Sequence, residues 1–155
     1  MNTEHDNAPL IEMATEQDLD ELARLFDLYR QFYEQPADLV LARDFLQQNL
    51  SQQRSTVYVA RSASSAMTGF VQLYASWCSV SAAPICILYD LFVDADARQG
   101  GIGRALMQHA ESHARNAGAC RIDLETAHDN RIGQALYEDL GYERDTHFYK
   151  YSLEL

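Results

Sequence analysis

Positive charge is in short supply in this chain: 12 lysines and arginines stand against 23 aspartates and glutamates, a formal net charge of -11 over 155 residues. Phosphate backbones are held by clustered cations, so this balance argues against a nucleic-acid partner, and it suits small cationic ligands drawn by a negative field. Cysteine is almost missing. Cys78, Cys86 and Cys120 are odd in number and share no close spacing, which argues against a disulfide framework and predicts reduced, buried, inert thiols. No apolar run approaches the roughly 18 residues that a membrane helix needs. The opening MNTEHDNAPL has neither a basic nor an apolar signal region, so a cytoplasmic protein without a membrane partner is expected.

What is present is an ordinary globular mixture, 47% hydrophobic and 23% charged, in a length that suits one domain over residues 9–155 behind a disordered tail, 1–8. Leu10 to Ala14 alternates as a short strand. Thr15 and Asp18 have capping-box spacing ahead of Leu19, Leu22, Phe26 and Tyr29, which recur at helical period to about Tyr33. Asp38 can cap a second helix ending near Leu50. Strands follow at Val57–Ala60 and Gly69–Trp77, then the loop CSVSAAP, then ILYDLFV (87–93) as a central strand buried on both faces. A helix spans 102–116 and stops at Gly118. Next come a strand at 121–126, a helix capped near Asp129 or Asn130 and ended by Gly141, and a closing hairpin turning near Asp145 and Thr146. The fold class is α/β (α+β by some schemes): one mixed, largely antiparallel twisted sheet of six to seven strands with about four flanking helices.

Glycine is sparse as well, only seven in all, yet three of them crowd into RQGGIGRAL (98–106). Gly100, Gly101 and Gly103 fall where a strand–loop unit turns into a helix. The first amides of a helix lack internal partners and carry the positive end of its dipole, so bare backbone there makes an anion cradle. Arg98 and Arg104 can add charge. A nucleotide P-loop is excluded by the missing Gly-Lys-Ser/Thr ending. GIGRAL approaches the dinucleotide fingerprint, with Asp123 about 20 residues on, but Leu106 replaces the third small residue. Moreover, six residues separate Val93 from Gly100, and too little chain follows for that fold.

Arg98-Gln99-Gly100-Gly101-Ile102-Gly103 instead resembles the pyrophosphate signature Gln/Arg-x-x-Gly-x-Gly/Ala of the GNAT acetyltransferase superfamily. LYDLFVD before it and NRIGQALYEDLGY after it resemble the two flanking motifs, so the likeness covers about residues 85–151, while 9–80 agree in element order. The subgroup resembled is the small-amine, polyamine and histone type. The likeness implies the GNAT fold, acetyl-CoA as cofactor, direct transfer to an amine and a homodimer. It assigns cofactor binding to Leu91, Phe92, Val93, Arg98, Gln99, Gly100, Gly101, Ile102, Gly103, Arg104 and Asn130. The strand carrying Leu91–Val93 is splayed from its neighbour, so that the cofactor's amide arm adds to the free edge. A backbone amide there would serve as oxyanion donor. The likeness also implies that Tyr137, seven residues from Asn130 and on the same helical face, is the general acid that meets the departing thiolate and touches the cofactor.

The base is left open by the family. A lysine-like amine is neutral at pH 7 only at a cost of about 4.6 kcal/mol, which a carboxylate can partly offset. Asp90, in the strand before the loop, leads, as base or as cation anchor, because a strand-interior carboxylate is expensive unless it has a role or a partner. Glu125 and Glu34 follow. The aromatics Tyr29, Tyr33, Tyr74, Trp77 and Tyr89 fall on elements that cover the acceptor side in this family, and with nearby carboxylates they could cage an ammonium. His147 and Tyr149 line that mouth or a dimer contact. His109 and His113 are spaced as in a zinc helix, but the glutamate is one place late, and no metal is expected. The function expected is acetyl transfer to a primary, cationic amine: a polyamine, a diamine, an amino acid or a lysine side chain. The alternatives are a non-catalytic acyl-CoA-binding module, or transfer to aminoglycosides or of longer acyl groups.

Overall fold

The computed structural model describes residues 8–155; all but the last residue of the expected tail lie outside them. They form two compact units, one ending at Leu124 and one spanning Glu125–Leu155. The first holds a five-stranded sheet in the order β1 (Leu10–Met13), β2 (Thr56–Arg61), β3 (Met67–Cys78), β4 (Ala83–Val93), β5 (Ile122–Leu124). Its first three pairings are antiparallel and the last, β4 with β5, is parallel.

Local sequence signals account for the helices. Thr15 and Asp18 close the expected capping box around a short 3-10 turn that leads into α1 (Leu19–Phe32). Asp38 accepts from the Leu41 amide at 3.0 Å and starts α2 (Leu39–Ser51). Gly101 and Gly118, at φ of 74° and 75°, bracket α3 (Ile102–Asn116), where residues with a Cβ would be strained.

Strand alternation puts α1 and α3 on opposite faces. Phe70 turns toward α1, its ring 6.2 Å from Phe26 and 6.0 Å from Tyr29. Gly69, its neighbour, faces α3, where a Cβ would come within 3.3 Å of Ile102 and Leu106. The core under α1 and α2 is built from Leu22, Leu25, Leu46, Val57, Val59 and Phe70, all essentially inaccessible. Leu106, Met107, Ala110 and Ala114 supply the buried face of α3.

The second unit holds α4 (Arg131–Asp139), capped by Asn130, whose Oδ1 accepts from the Gly133 amide at 3.1 Å. No strand forms after it among the described residues, so the sheet has five strands rather than six or seven. The turn expected at Asp145 is present: its carboxylate accepts from the amides of His147 and Phe148 at 2.7 and 3.2 Å. Those local bonds satisfy the turn without a ladder. Two further corrections concern β4. It begins at Ala83, so part of the expected loop is strand, and it lies fourth in the sheet rather than at the centre.

Candidate active site

The site is organised by one irregularity in β4. Leu73 pairs with Leu88, but Gln72 pairs with Asp90, so Tyr89 is an extra residue. Such a bulge flips the side-chain phase of the strand beyond it. Asp90 consequently shares the α1 face with Phe92 and lies opposite Gln72, while Tyr89 is turned out and 63% exposed. This exposure contradicts a β4 buried on both faces.

β5 pairs only with Cys86, Ile87 and Leu88. Beyond Leu88 this pairing ends, and Leu91, Phe92 and Val93 continue as strand without it. β4 then leads through a short 3-10 turn, Ala95–Ala97, into the glycine loop. Arg98 donates from Nε to the Val93 carbonyl at 3.1 Å, and its guanidinium stands 5.8 Å from the Phe92 ring centre. Gln99 and Gly101 both have positive φ, 68° and 74°.

Gly101, the N-cap of α3, has no side chain with which to cap the first amides, which lack partners within the helix. Gly100 is informative in this respect. Among the described residues, a Cβ there would meet only the Ala97 carbonyl oxygen, at an ordinary 3.6 Å. The chain's own packing therefore does not require Gly100 to be bare. Bare backbone at this point could admit an anion such as the diphosphate of a coenzyme A. Ile102, Gly103 and Arg104 form the first turn above it.

Asp90 is only 4% exposed. Burial pushes its carboxyl above the ordinary carboxylate value, and hydrogen bonds from Gln72 and Tyr29 hold back part of that rise. Among the described residues, no cation is one of the groups acting on it. Tyrosines surround it instead. Burial and then the Asp90 charge push the Tyr29 hydroxyl up, and burial and Asp90 do the same to Tyr74. Tyr33 packs edge-on to Tyr29 at 5.2 Å, and Tyr74 edge-on to Tyr89 at 5.9 Å.

Asp90, Tyr29, Tyr33, Tyr74 and Tyr89 are thus brought together. Trp77 sits three residues further along β3, paired with Pro84 and exposed. Glu34 is exposed at positive φ just past α1. Glu125 belongs to the second unit, where it pairs with Lys150. In that unit Asn130 also donates to Thr126 Oγ1 at 3.0 Å, and Tyr137 lies on α4 with its ring 6.2 Å from Tyr142. His147 and Tyr149 are in the exposed closing segment. His109 and His113 border Tyr58, whose hydroxyl lies 3.2 Å from His113 Nδ1.

Three polar residues of the site had not been singled out from the sequence. Gln72 and Asn49 are 0% and 2% exposed, and Ser55 lies beside them. The signal was available: Gln72 interrupts the apolar run FVQLY, and Asn49 continues the buried α2 stripe of Ala42 and Leu46. The cysteines also need correction, because only Cys86 is buried, while Cys78 is partly accessible and Cys120 exposed.

The Acetyltransferase (GNAT) family model matches residues 22–142, and the chain belongs to that family. It is 41% identical over 145 residues to the uncharacterized N-acetyltransferase YhfO of Bacillus subtilis strain 168, covering 94% of this chain and 97% of that protein. Among solved structures it is similar to "a probable acetyltransferase", with 36% identity, a TM-score of 0.88, and coverage of 94% and 97% of the two chains. An aminoglycoside acetyltransferase from an uncultured soil metagenomic sample, solved with trehalose, shares 26% identity at a TM-score of 0.76, over 97% of this chain and 100% of that one. The protein is an N-acetyltransferase with the GNAT fold. Members of the family use acetyl-CoA. Among the described residues, no helix is long and apolar enough to cross a membrane.

Proposed function

We propose that this enzyme moves the acetyl group of acetyl-CoA directly onto a primary amine of a cationic acceptor, with Asp90 as the carboxylate that meets the ammonium. The supporting observation is a nearly inaccessible carboxylate, ringed by tyrosines, with no cation among the described groups acting on it. An arriving ammonium would relieve the cost of that unpaired charge, and the raised carboxyl is better matched to accept a proton near neutral pH. Aromatic faces beside it favour the same cation.

The glycine loop and the β4 edge at Leu91–Val93 would hold the cofactor, which supplies an activated thioester. Tyr137 is assigned to protonating the leaving thiolate, on the likeness of ALYEDLGY to the family's acid motif. The acceptor classes carried forward are polyamines, diamines, free amino acids and lysine side chains, and aminoglycosides also present clustered ammonium groups.

The test is release of free thiol from acetyl-CoA across a panel of spermidine, cadaverine, lysine, a lysine peptide, an aminoglycoside, and neutral and anionic amines. Turnover should be confined to the cationic members; activity only with the neutral or anionic ones removes the proposal. Tyr137→Phe should lower kcat about 100-fold or more while coenzyme A affinity is kept.

A further inference from the structure

A carboxylate buried as deeply as Asp90 would ordinarily be held neutral or turned away from its task. What opposes this is a set of polar side chains that ends on Asp90. Gln72 stands directly opposite Asp90 across the β3–β4 pairing, at the bulge, and its Nε2 donates to Asp90 Oδ2. The other end of the same amide is occupied twice: Ser55 Oγ donates to Gln72 Oε1 at 2.7 Å and Asn49 Nδ2 at 3.0 Å. Asn49 also donates to the Tyr74 hydroxyl at 3.0 Å.

These bonds give the group a direction. With Asp90 ionised, turning the Gln72 amide over would set a carbonyl oxygen against the carboxylate without water to compensate. An ionised Asp90 therefore takes the Gln72 N–H, while Ser55 and Asn49, both able to donate, hold Oε1 on the other side. Resting on the reading of Asp90 given above, we infer that Gln72 is a positioning residue for the transfer reaction, locked by Ser55 and Asn49 so that it holds Asp90 ionised and aimed at the acceptor amine. The titratable groups facing Asp90 are Tyr29 of α1, with Tyr33 behind it, Tyr74 of β3 and Tyr89 of β4. All are tyrosines, and Tyr29 and Tyr74 are pushed above the ordinary phenol value, away from the carboxylate range, so an acidic limb in the activity profile would report Asp90.

The experiment is the pH profile of kcat/KM, with the best amine of the panel, for the wild type, Gln72→Met, Ser55→Ala and Asp90→Asn. Gln72→Met keeps the volume and removes the donor. It should move the acidic limb to higher pH, so that kcat/KM at a fixed pH on that limb falls about tenfold while the alkaline plateau changes less. Ser55→Ala, a milder change, should move the limb in the same direction by less, and it decides the question if Gln72→Met does not fold. A role confined to stability would scale the whole profile without moving it, and that result overturns the inference. If Asp90→Asn retains the acidic limb, the reading of Asp90 itself fails and the inference with it. If Asp90→Asn abolishes the limb but the Gln72 and Ser55 variants leave it in place, the inference alone fails.

Discussion

The Tyr29 hydroxyl reaches from α1 to the backbone carbonyl of Tyr89 at 3.3 Å, tying the helix to the one residue of β4 that the sheet leaves unpaired. The same hydroxyl faces the Asp90 carboxylate, so a single proton serves two acceptors, one that fixes the bulge and one that carries charge.

Tyr29→Phe separates those roles from the packing. The ring remains among Phe26, Phe70 and Phe92, at 6.0, 6.0 and 6.4 Å, so the loss is confined to one hydroxyl. Stability should fall by about 1 kcal/mol, measured by urea unfolding. The carboxylate loses a donor, which raises its pKa, so activity should disappear at a higher pH on the acidic side than in the wild type. An unchanged limb would mean that the proton belongs wholly to the Tyr89 carbonyl.

Asp90→Asn should give opposite signs for stability and activity. The folded-state carboxyl is raised above its ordinary value, chiefly by burial. Between the unfolded and folded pKa values the native state therefore binds more protons than the unfolded chain. Stability accordingly declines as pH rises through that window, and at neutral pH the charge is a burden on the fold. Asparagine removes the charge and can still accept from Gln72. At pH 7 the variant should melt higher, by about 2–4 °C for each kcal/mol recovered, and its turnover should fall sharply. A lower melting temperature would show that Asp90 is stabilised in place by more than its two donors.

How much of this was legible in the sequence depends on the range of the interaction involved. Thr15–Asp18, Asp38 and Gly118 are read within one turn of chain, and their helices begin and end where those residues indicate. The glycine loop is local as well. The bulge at Tyr89 is not: it depends on which residue of β3 lies opposite which residue of β4, a register that periodicity along one strand does not contain. Asp90 could be suspected for its cost, but its partner Gln72 is known only once the strands are paired. The closing hairpin illustrates the converse, because the turn at Asp145 was visible while the strands on either side, which depend on a ladder partner, did not form.

The two sides of the glycine loop separate stability from binding. Gly69 lies under α3, and a Cβ there would press within 2.9 Å of the Phe92 carbonyl oxygen, with Ile102 and Leu106 at 3.3 Å. Because the closest contact is backbone, Gly69→Ala should push the first turn of α3 off the sheet and cost about 1–3 kcal/mol. Gly100→Ala meets no such contact and should leave the melting temperature within about 1 °C. It nevertheless places a methyl where the proposed function has the diphosphate approach, so titration calorimetry with coenzyme A should show affinity reduced about tenfold or more. Wild-type affinity in Gly100→Ala would place the anion elsewhere on the loop.

Cys78 gives a prediction away from the acceptor site. Its thiol is lowered to about 7, first by hydrogen bonds from Ser81 and then by Arg121, whose Nη1 lies 3.5 Å from the sulfur. Burial pushes the Cys86 thiol the other way. About half of Cys78 should therefore be thiolate at pH 7, compared with a few per cent for an ordinary cysteine, and the thiolate is the nucleophile. Iodoacetamide at pH 7, followed by peptide mass spectrometry, should label Cys78 well ahead of Cys86, with a rate that rises by half near pH 7. Arg121→Gln removes one of the lowering groups and should slow labelling at that pH while leaving the high-pH rate unchanged. Equal rates in the two proteins at pH 7 would show that accessibility, and not the guanidinium, sets the reactivity of this thiol.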